Sequence, residues 1–282
     1  MHLPLMRFGE EPLSAQRLQS AVDAARDCGF DAVTANDHFV FQTPWLDGLT
    51  ALASVIERSG RMELATTVAL AVLRGPVQLA KALVAVDVLS EGRLVAAVGP
   101  GSSERDYQVI GVPFEERWQR FDEALTLLRG LLGRGAPAEV ELQPAPWRPD
   151  GIPLWIGSWG SRAGLARVAR AGDGWLASAY NTTPQRFAVA RARLPDGFPN
   201  ALSTMWTWVA DDRAEADRVL TEVLCPILRR PPDDLREQVC VGTADHCASL
   251  ISSYADAGCR RIYFWPLGDE QRQIERLAGL AR

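Results

Sequence analysis

"MELATTVALAVLRGPVQLAKALVAVDVLSEGRLVAAVGPGSSERDY", Met62 to Tyr107, carries two alternating patterns. Met62–Ala69 and Leu94–Val98 are short, nearly unbroken apolar runs. Such runs suit strands buried on both faces of a parallel sheet. Between them Pro76 takes the first position of a helix, where its missing N–H costs nothing. A strand, a helix and a second strand in succession predict one right-handed crossover.

The same alternation extends along the chain. Strands are expected at Leu3–Phe8, Asp31–Thr34, Met62–Ala69, Leu94–Val98, Leu154–Ile156, Gly174–Ala177, Ala201–Val209 and Arg261–Trp265. Helices fall between them. Ser14 is a good N-cap for a helix with Leu18, Val22 and Ala25 on one face, and Gly29 suits its end. Trp118, Phe121, Leu125, Leu128 and Leu132 recur at steps of three and four, an amphipathic stripe. Thr183-Pro184 and Thr243 open two further helices, and a last one runs near Gln271–Leu280. Eight alternations predict an α/β fold, a (β/α)8 TIM barrel over residues 1–282, with a doubly wound sheet as the competitor. The Pro- and Gly-rich residues 133–151 are expected to form an insertion with a short hairpin.

Composition narrows the function. The chain has 282 residues, 47% of them hydrophobic, and a net charge of −5. It has no basic footprint for nucleic acid. Five cysteines without a framework of spacings suit a reduced, cytoplasmic interior. The ten-residue apolar window Leu64–Leu73 is too short for a membrane span. His2, His38 and His246 are scattered and form no metal motif, so no metal is expected.

In a parallel barrel, chemistry collects at the carboxyl ends of the strands. There stand Asp37 and His38, among aromatic residues. Histidine exchanges protons near neutral pH, so His38 suits a general base or a donor to a bound ring. It equally suits a histidine that satisfies its own loop. Thr66 and Thr67 lie on an otherwise apolar strand, where their side chains point to opposite faces. Gly99-Pro100-Gly101-Ser102-Ser103 is a glycine loop, with Tyr107 one turn on. Gly157-Ser158-Trp159-Gly160-Ser161 joins a strand to a helix, where free amides and the helix dipole suit an anion such as phosphate. An ordinary tight turn has the same pattern. There is no P-loop spacing and no nucleophile elbow.

Three stretches taken together resemble the bacterial luciferase-like family of flavin-dependent monooxygenases and coenzyme F420-dependent oxidoreductases. They are "CGFDAVTANDHF" (residues 28–39), the segment 64–126 and "PLWIGSWGSRAGLARVARAGDGW" (residues 153–175). The resemblance implies a (β/α)8 barrel that binds reduced FMN or F420 at its open end. It implies monooxygenation or hydride transfer on a small organic substrate. His38, with Asp37 beside it, matches the histidine near the reactive ring. The Thr67–Val68 bond, preceded by Thr66, matches a non-prolyl cis peptide under the ring. Gly99, Gly101, Ser102 and Tyr107 match the loop beside it, and Gly157, Ser158, Trp159, Gly160 and Ser161 the phosphate turn. A separate reductase and a homodimer are further implications. In the sugar-phosphate dehydrogenase branch a glutamate stands where this chain has Ser102. The long insertion of luciferases after strand seven is expected to be reduced or missing. A non-catalytic flavin-binding barrel and an unrelated barrel lyase acting on a phosphorylated substrate are the alternatives.

Overall fold

The computed structural model describes residues 1–8, 11–135 and 141–280. Nine strands form one sheet: β1 Ala32–Ala35, β2 Glu63–Thr66, β3 Ala69–Leu70, β4 Leu94–Gly99, β5 Leu154–Gly157, β6 Gly174–Ser178, β7 Asn200–Ala210, β8 Cys240–Thr243 and β9 Ile262–Pro266. All pairings between them are parallel, in the order β1-β2-β4-β5-β6-β7-β8, with β3 on β4 and β9 on β7. The amino terminus bridges the open side. His2 N–H donates to the Phe264 carbonyl at 2.7 Å, and Leu3 N–H to that of Thr34 at 2.8 Å. The first expected strand is therefore present as isolated bridges at His2 and Met6 rather than as a ladder.

The sequence explains why the sheet curls inside a shell of helices. All six residues of β4 are buried, as are all four of β1. Small side chains dominate the barrel interior, where Ala32, Ala65, Ala97 and Ala201 meet Val95, Leu176 and Tyr263. The larger aliphatics lie between sheet and helices. On the helix Arg117–Leu131, Phe121, Leu125 and Leu128 are at most 1% exposed. Each such side chain contributes about 1.5–3 kcal/mol of burial.

Helix starts follow the expected caps. The hydroxyls of Ser14, Thr183 and Thr243 accept N–H bonds from Arg17, Arg186 and His246. Gly29 sits past the first helix at φ +81°. Pro76 begins the helix Pro76–Leu89.

Two expectations need correction, and a third falls partly outside the described residues. Trp118 does not join the buried stripe. It is 45% exposed, with the guanidinium groups of Arg117 and Arg167 over its ring. The expected strand Met62–Ala69 is broken at residues 67–68 into β2 and β3. Residues 133–135 and 141–151 contain no strand, and the rest of the expected hairpin, residues 136–140, lies outside the described residues. After β7 the link carries helical elements of its own. Between β7 and β8 run helical segments at Arg213–Arg218, Val219–Leu224, Cys225–Leu228 and Pro232–Leu235. They cover the carboxyl ends of β7 and β9, where Leu220, Leu224 and Leu235 pack on Trp206 and Trp265.

Candidate functional site

The break between β2 and β3 centres on Thr67–Val68, whose peptide bond is cis. Thr67 N–H donates to the Ala35 carbonyl on β1 at 2.8 Å. Thr66 bonds the other way, its hydroxyl donating to the Ala97 carbonyl on β4 at 2.6 Å. The two threonines thus differ. Thr66 ties two strands together, while the Thr67 hydroxyl is buried with no partner among the described residues.

Val68 explains two of the glycines. A Cβ on Gly99 would stand 2.8 Å from one Val68 methyl, and a Cβ on Gly157 2.8 Å from the other. The ends of β4 and β5 are bare so that this half-buried valine can lie across them.

His38 follows β1. Its Nδ1 lies 2.9 Å from a carboxylate oxygen of Asp106, which is 1% exposed. The other Asp106 oxygen accepts the N–H groups of Phe39 at 3.2 Å and Val40 at 2.7 Å. Burial acts to raise the Asp106 pKa, but the bonds from His38, Val40 and Phe39 outweigh it and hold the carboxyl below its usual range. Asp106 therefore accepts at Nδ1 and leaves Nε2 as the free ring nitrogen. The His38 side chain is 22% exposed, flanked by Phe41 and Trp45 with ring centroids 4.9 and 4.8 Å away. Sequence reasoning missed Asp106. Its signal was Ser103, which caps the helix Glu104–Ile110 through Asp106 N–H and so fixes where Asp106 stands.

Asp37 is not the partner of His38. It receives Arg74 Nε at 2.5 Å, Arg74 Nη2 at 2.6 Å and Leu70 N–H at 3.2 Å. Arg74 also pairs with Asp47. Burial opposes the Arg74 charge, but the bonds to Asp37 and Asp47 prevail and raise its pKa above that of an ordinary arginine.

In the glycine loop, Gly101 has φ +88°. Ser102 is exposed. Tyr107 lies beneath the loop. It is fully buried, and its hydroxyl donates to the Pro100 carbonyl at 2.5 Å. Burial pushes its pKa up to about 12.

The turn after β5 leads into the helix Arg162–Ala171. Ser158 N–H is bound to Leu176 on β6, and its hydroxyl accepts from Gly160 N–H at 3.2 Å. The Ser161 hydroxyl accepts from Gly164 N–H at 3.1 Å. Each hydroxyl keeps a proton to donate. Gly160 has φ +86°, and Trp159 is 59% exposed. Among the described residues, no hydrogen bond engages the amides of Trp159, Ser161, Arg162 and Ala163. Residues 157–165 include no acidic side chain. An unpartnered buried hydroxyl at Thr67 and this cradle of amides fit a ring with a phosphate tail.

No group of histidine, cysteine and acidic side chains among the described residues has the geometry to hold a metal ion. No helix among the described residues is long and apolar enough to cross a membrane.

A parallel sheet with these features at its carboxyl ends defines a class. Residues 5–227 match the family model for luciferase-like monooxygenases, and the chain belongs to that family. It is 25% identical over 281 residues to a 4-hydroxyprotoasukamycin monooxygenase of Streptomyces nodosus subsp. asukaensis, covering 94% of this chain and 69% of the relative. It is 30% identical over 172 residues to an F420-dependent glucose-6-phosphate dehydrogenase of Amycolatopsis mediterranei, covering 54% of this chain and 50% of the relative. Among solved structures, an F420-dependent secondary alcohol dehydrogenase in complex with an F420-acetone adduct superposes with a TM-score of 0.80. That match has 16% identity and covers 95% of this chain and 94% of the other.

Proposed function

We propose that this protein is an oxidoreductase that binds reduced FMN or F420 across the Thr67–Val68 bulge and acts on a small organic substrate. The convergence of Val68 with Gly99 and Gly157, beside a half-buried His38, is the observation that carries this reading. The amides of residues 159–163 would hold the phosphate, with the Ser158 and Ser161 hydroxyls as further donors. Thr67 would offer its hydroxyl to the ring. Such a cofactor supplies, when bound, either a hydride or the reducing power for oxygenation.

The remaining steps belong to the chain's own residues. His38, its Nδ1 held by Asp106, would move a proton at Nε2. Asp37 becomes a positioning residue in this reading. Its pairing with Arg74 fixes the loop from which His38 projects. Phe41 and Trp45 would limit the water that reaches the imidazole. Tyr107 supports the glycine loop through Pro100 and takes no part in proton transfer. With FMN, a separate reductase would have to deliver the reduced cofactor.

Turnover tests the reading. The protein is mixed with each reduced cofactor, and oxygen uptake or hydride transfer to a panel of aldehydes, ketones and alcohols is followed. Cofactor binding with neither activity would favour the non-catalytic binder instead.

A further inference from the structure

The turn after β5 lies in a basic stretch of an acidic chain. Residues 157–195 carry six arginines and one acid, Asp173, although the whole chain has a net charge of −5. Partners account for some of these cations. Arg167 and Arg170 share Asp122, and Asp173 is held by Arg129 and Arg134. Arg191 faces the other way, its Cγ 3.7 Å from where a Cβ on Gly258 would stand. Arg162, Arg186 and Arg193 enter no ion pair among the described residues. All three are exposed.

Two of them stand at the rim where the turn opens. β5 and β6 are parallel neighbours, so the helices that follow them, Arg162–Ala171 and Pro184–Arg191, both start at the carboxyl-end rim. Their positive dipole ends lie there together. Arg162 is the first residue of one helix, directly after the turn, and Arg186 is the third residue of the other. The turn packs on that second helix, since a Cβ on Gly160 would stand 3.1 Å from the Ala190 Cβ. Arg186 precedes Ala190 by four residues, so it shares that face about 5.4 Å nearer the rim. Helical side chains lean toward the helix N-terminus, which carries the Arg186 guanidinium outward past the turn. The floor between the two arginines is built as well. Ser158 is 9% exposed, and a Cβ on Gly164 would stand 2.3 Å from its hydroxyl oxygen. Only a glycine at 164 lets this donor reach the first turn of the helix.

The amides of residues 159–163 and the two serine hydroxyls are enough for one phosphate. Two unpaired cations beyond them exceed that need. FMN ends at its phosphate. F420 continues past it, through a lactyl group, into glutamates that each add a carboxylate. We infer that the cofactor is F420, and that Arg162 and Arg186 bind the carboxylates of its tail as it leaves the turn. This deepens the proposed function and rests on its reading of residues 157–161 as the phosphate turn. Exposed ion pairs are individually weak and screened by salt. The tail therefore adds affinity at low ionic strength.

The test is fluorescence titration of the full chain with F420 bearing several glutamates, with F420 trimmed to its phospholactyl group, and with FMN, at low and at high salt. The tailed form is expected to bind about tenfold tighter than the trimmed form at low salt, as a few exposed pairs together provide. That advantage should vanish at high salt, and FMN should bind more weakly than tailed F420. Arg186→Gln should narrow the advantage about threefold and leave the trimmed form within about twofold of wild type, a change of one exposed pair. Arg186→Glu should narrow it further. Arg61→Gln removes an exposed charge before β2, on the opposite face of the sheet, and should change nothing. Circular dichroism confirms that each variant is folded. Equal binding of tailed and trimmed forms, FMN binding tighter than tailed F420, or equal effects of Arg186→Gln and Arg61→Gln overturns the inference and leaves the proposed function standing. Binding of none of the three overturns both.

Discussion

His38 and Asp106, 68 positions apart in sequence, meet at 2.9 Å, and the other oxygen of that carboxylate accepts two N–H groups from the backbone of the His38 loop itself. One acidic side chain thus sets both the path of the loop and the tautomer of its histidine. An asparagine at 106 keeps an oxygen for the loop amides but turns an N–H toward Nδ1, which reverses the tautomer. Asp106→Asn is expected to lower kcat by about 100-fold, within the range for general acid–base groups. Cofactor affinity should stay within about threefold, since a twofold to threefold change is well under 1.4 kcal/mol. Stopped-flow turnover beside fluorescence titration separates the two effects.

The same carboxylate has a pH signature. Its folded pKa is held below the ordinary 3.8. A depressed carboxylate stabilises the fold fully above its unfolded pKa, and that contribution is lost as pH falls through the folded value. Wild type should therefore lose stability below about pH 4, and Asp106→Asn should show a flatter acid limb there. Urea midpoints across that range provide the check. Parallel acid limbs would contradict the assignment.

Arg74 holds Asp37 and Asp47 together. Its removal leaves Asp37, 5% exposed, without a countercharge. Arg74→Met is expected to cost about 3–5 kcal/mol, as for other broken buried pairs. Asp37→Asn should lower Tm yet keep kcat within about tenfold, because the reading above gives Asp37 a positioning role and not the transition-state role worth 10²–10⁴-fold. A collapse of kcat with unchanged Tm would restore Asp37 to the chemistry.

Gly99→Ala places a methyl 2.8 Å from Val68. The valine must shift, so cofactor affinity is expected to fall by about tenfold, or 1.4 kcal/mol. Val68→Ala in the same chain should recover most of it. Failure of the double variant to recover would mean that Gly99 acts in some other way.

Much of the architecture was legible because buried parallel strands and capped helices write local patterns. Pro76, Ser14, Thr183 and Thr243 mark helix starts through chemistry confined to a few residues. β8 was not legible. Its four residues, Cys240–Thr243, are too few to show a period. The partner of His38 was not legible for a physical reason. Neighbours on extended backbone point to opposite sides, so Asp37 turns to Arg74 while His38 turns to Asp106. The acid that matters lies in "SERDY", where it looks like part of an exposed helix face. Trp118 fits the helical stripe by spacing, yet two arginines hold it at the surface.

The phosphate turn offers the most direct measurement. Gly160 has φ +86°, so any side chain there is strained, and asparagine and aspartate variants share that strain while differing in charge. Wild type, Gly160→Asn and Gly160→Asp are titrated with FMN and with F420, oxidised and reduced, by fluorescence. The account expects wild type to bind at least one of the two, and the aspartate variant to bind it at least tenfold more weakly than the asparagine variant, a difference of about 1.4 kcal/mol. Equal affinities for the two variants, or no binding of either cofactor by wild type, would contradict it.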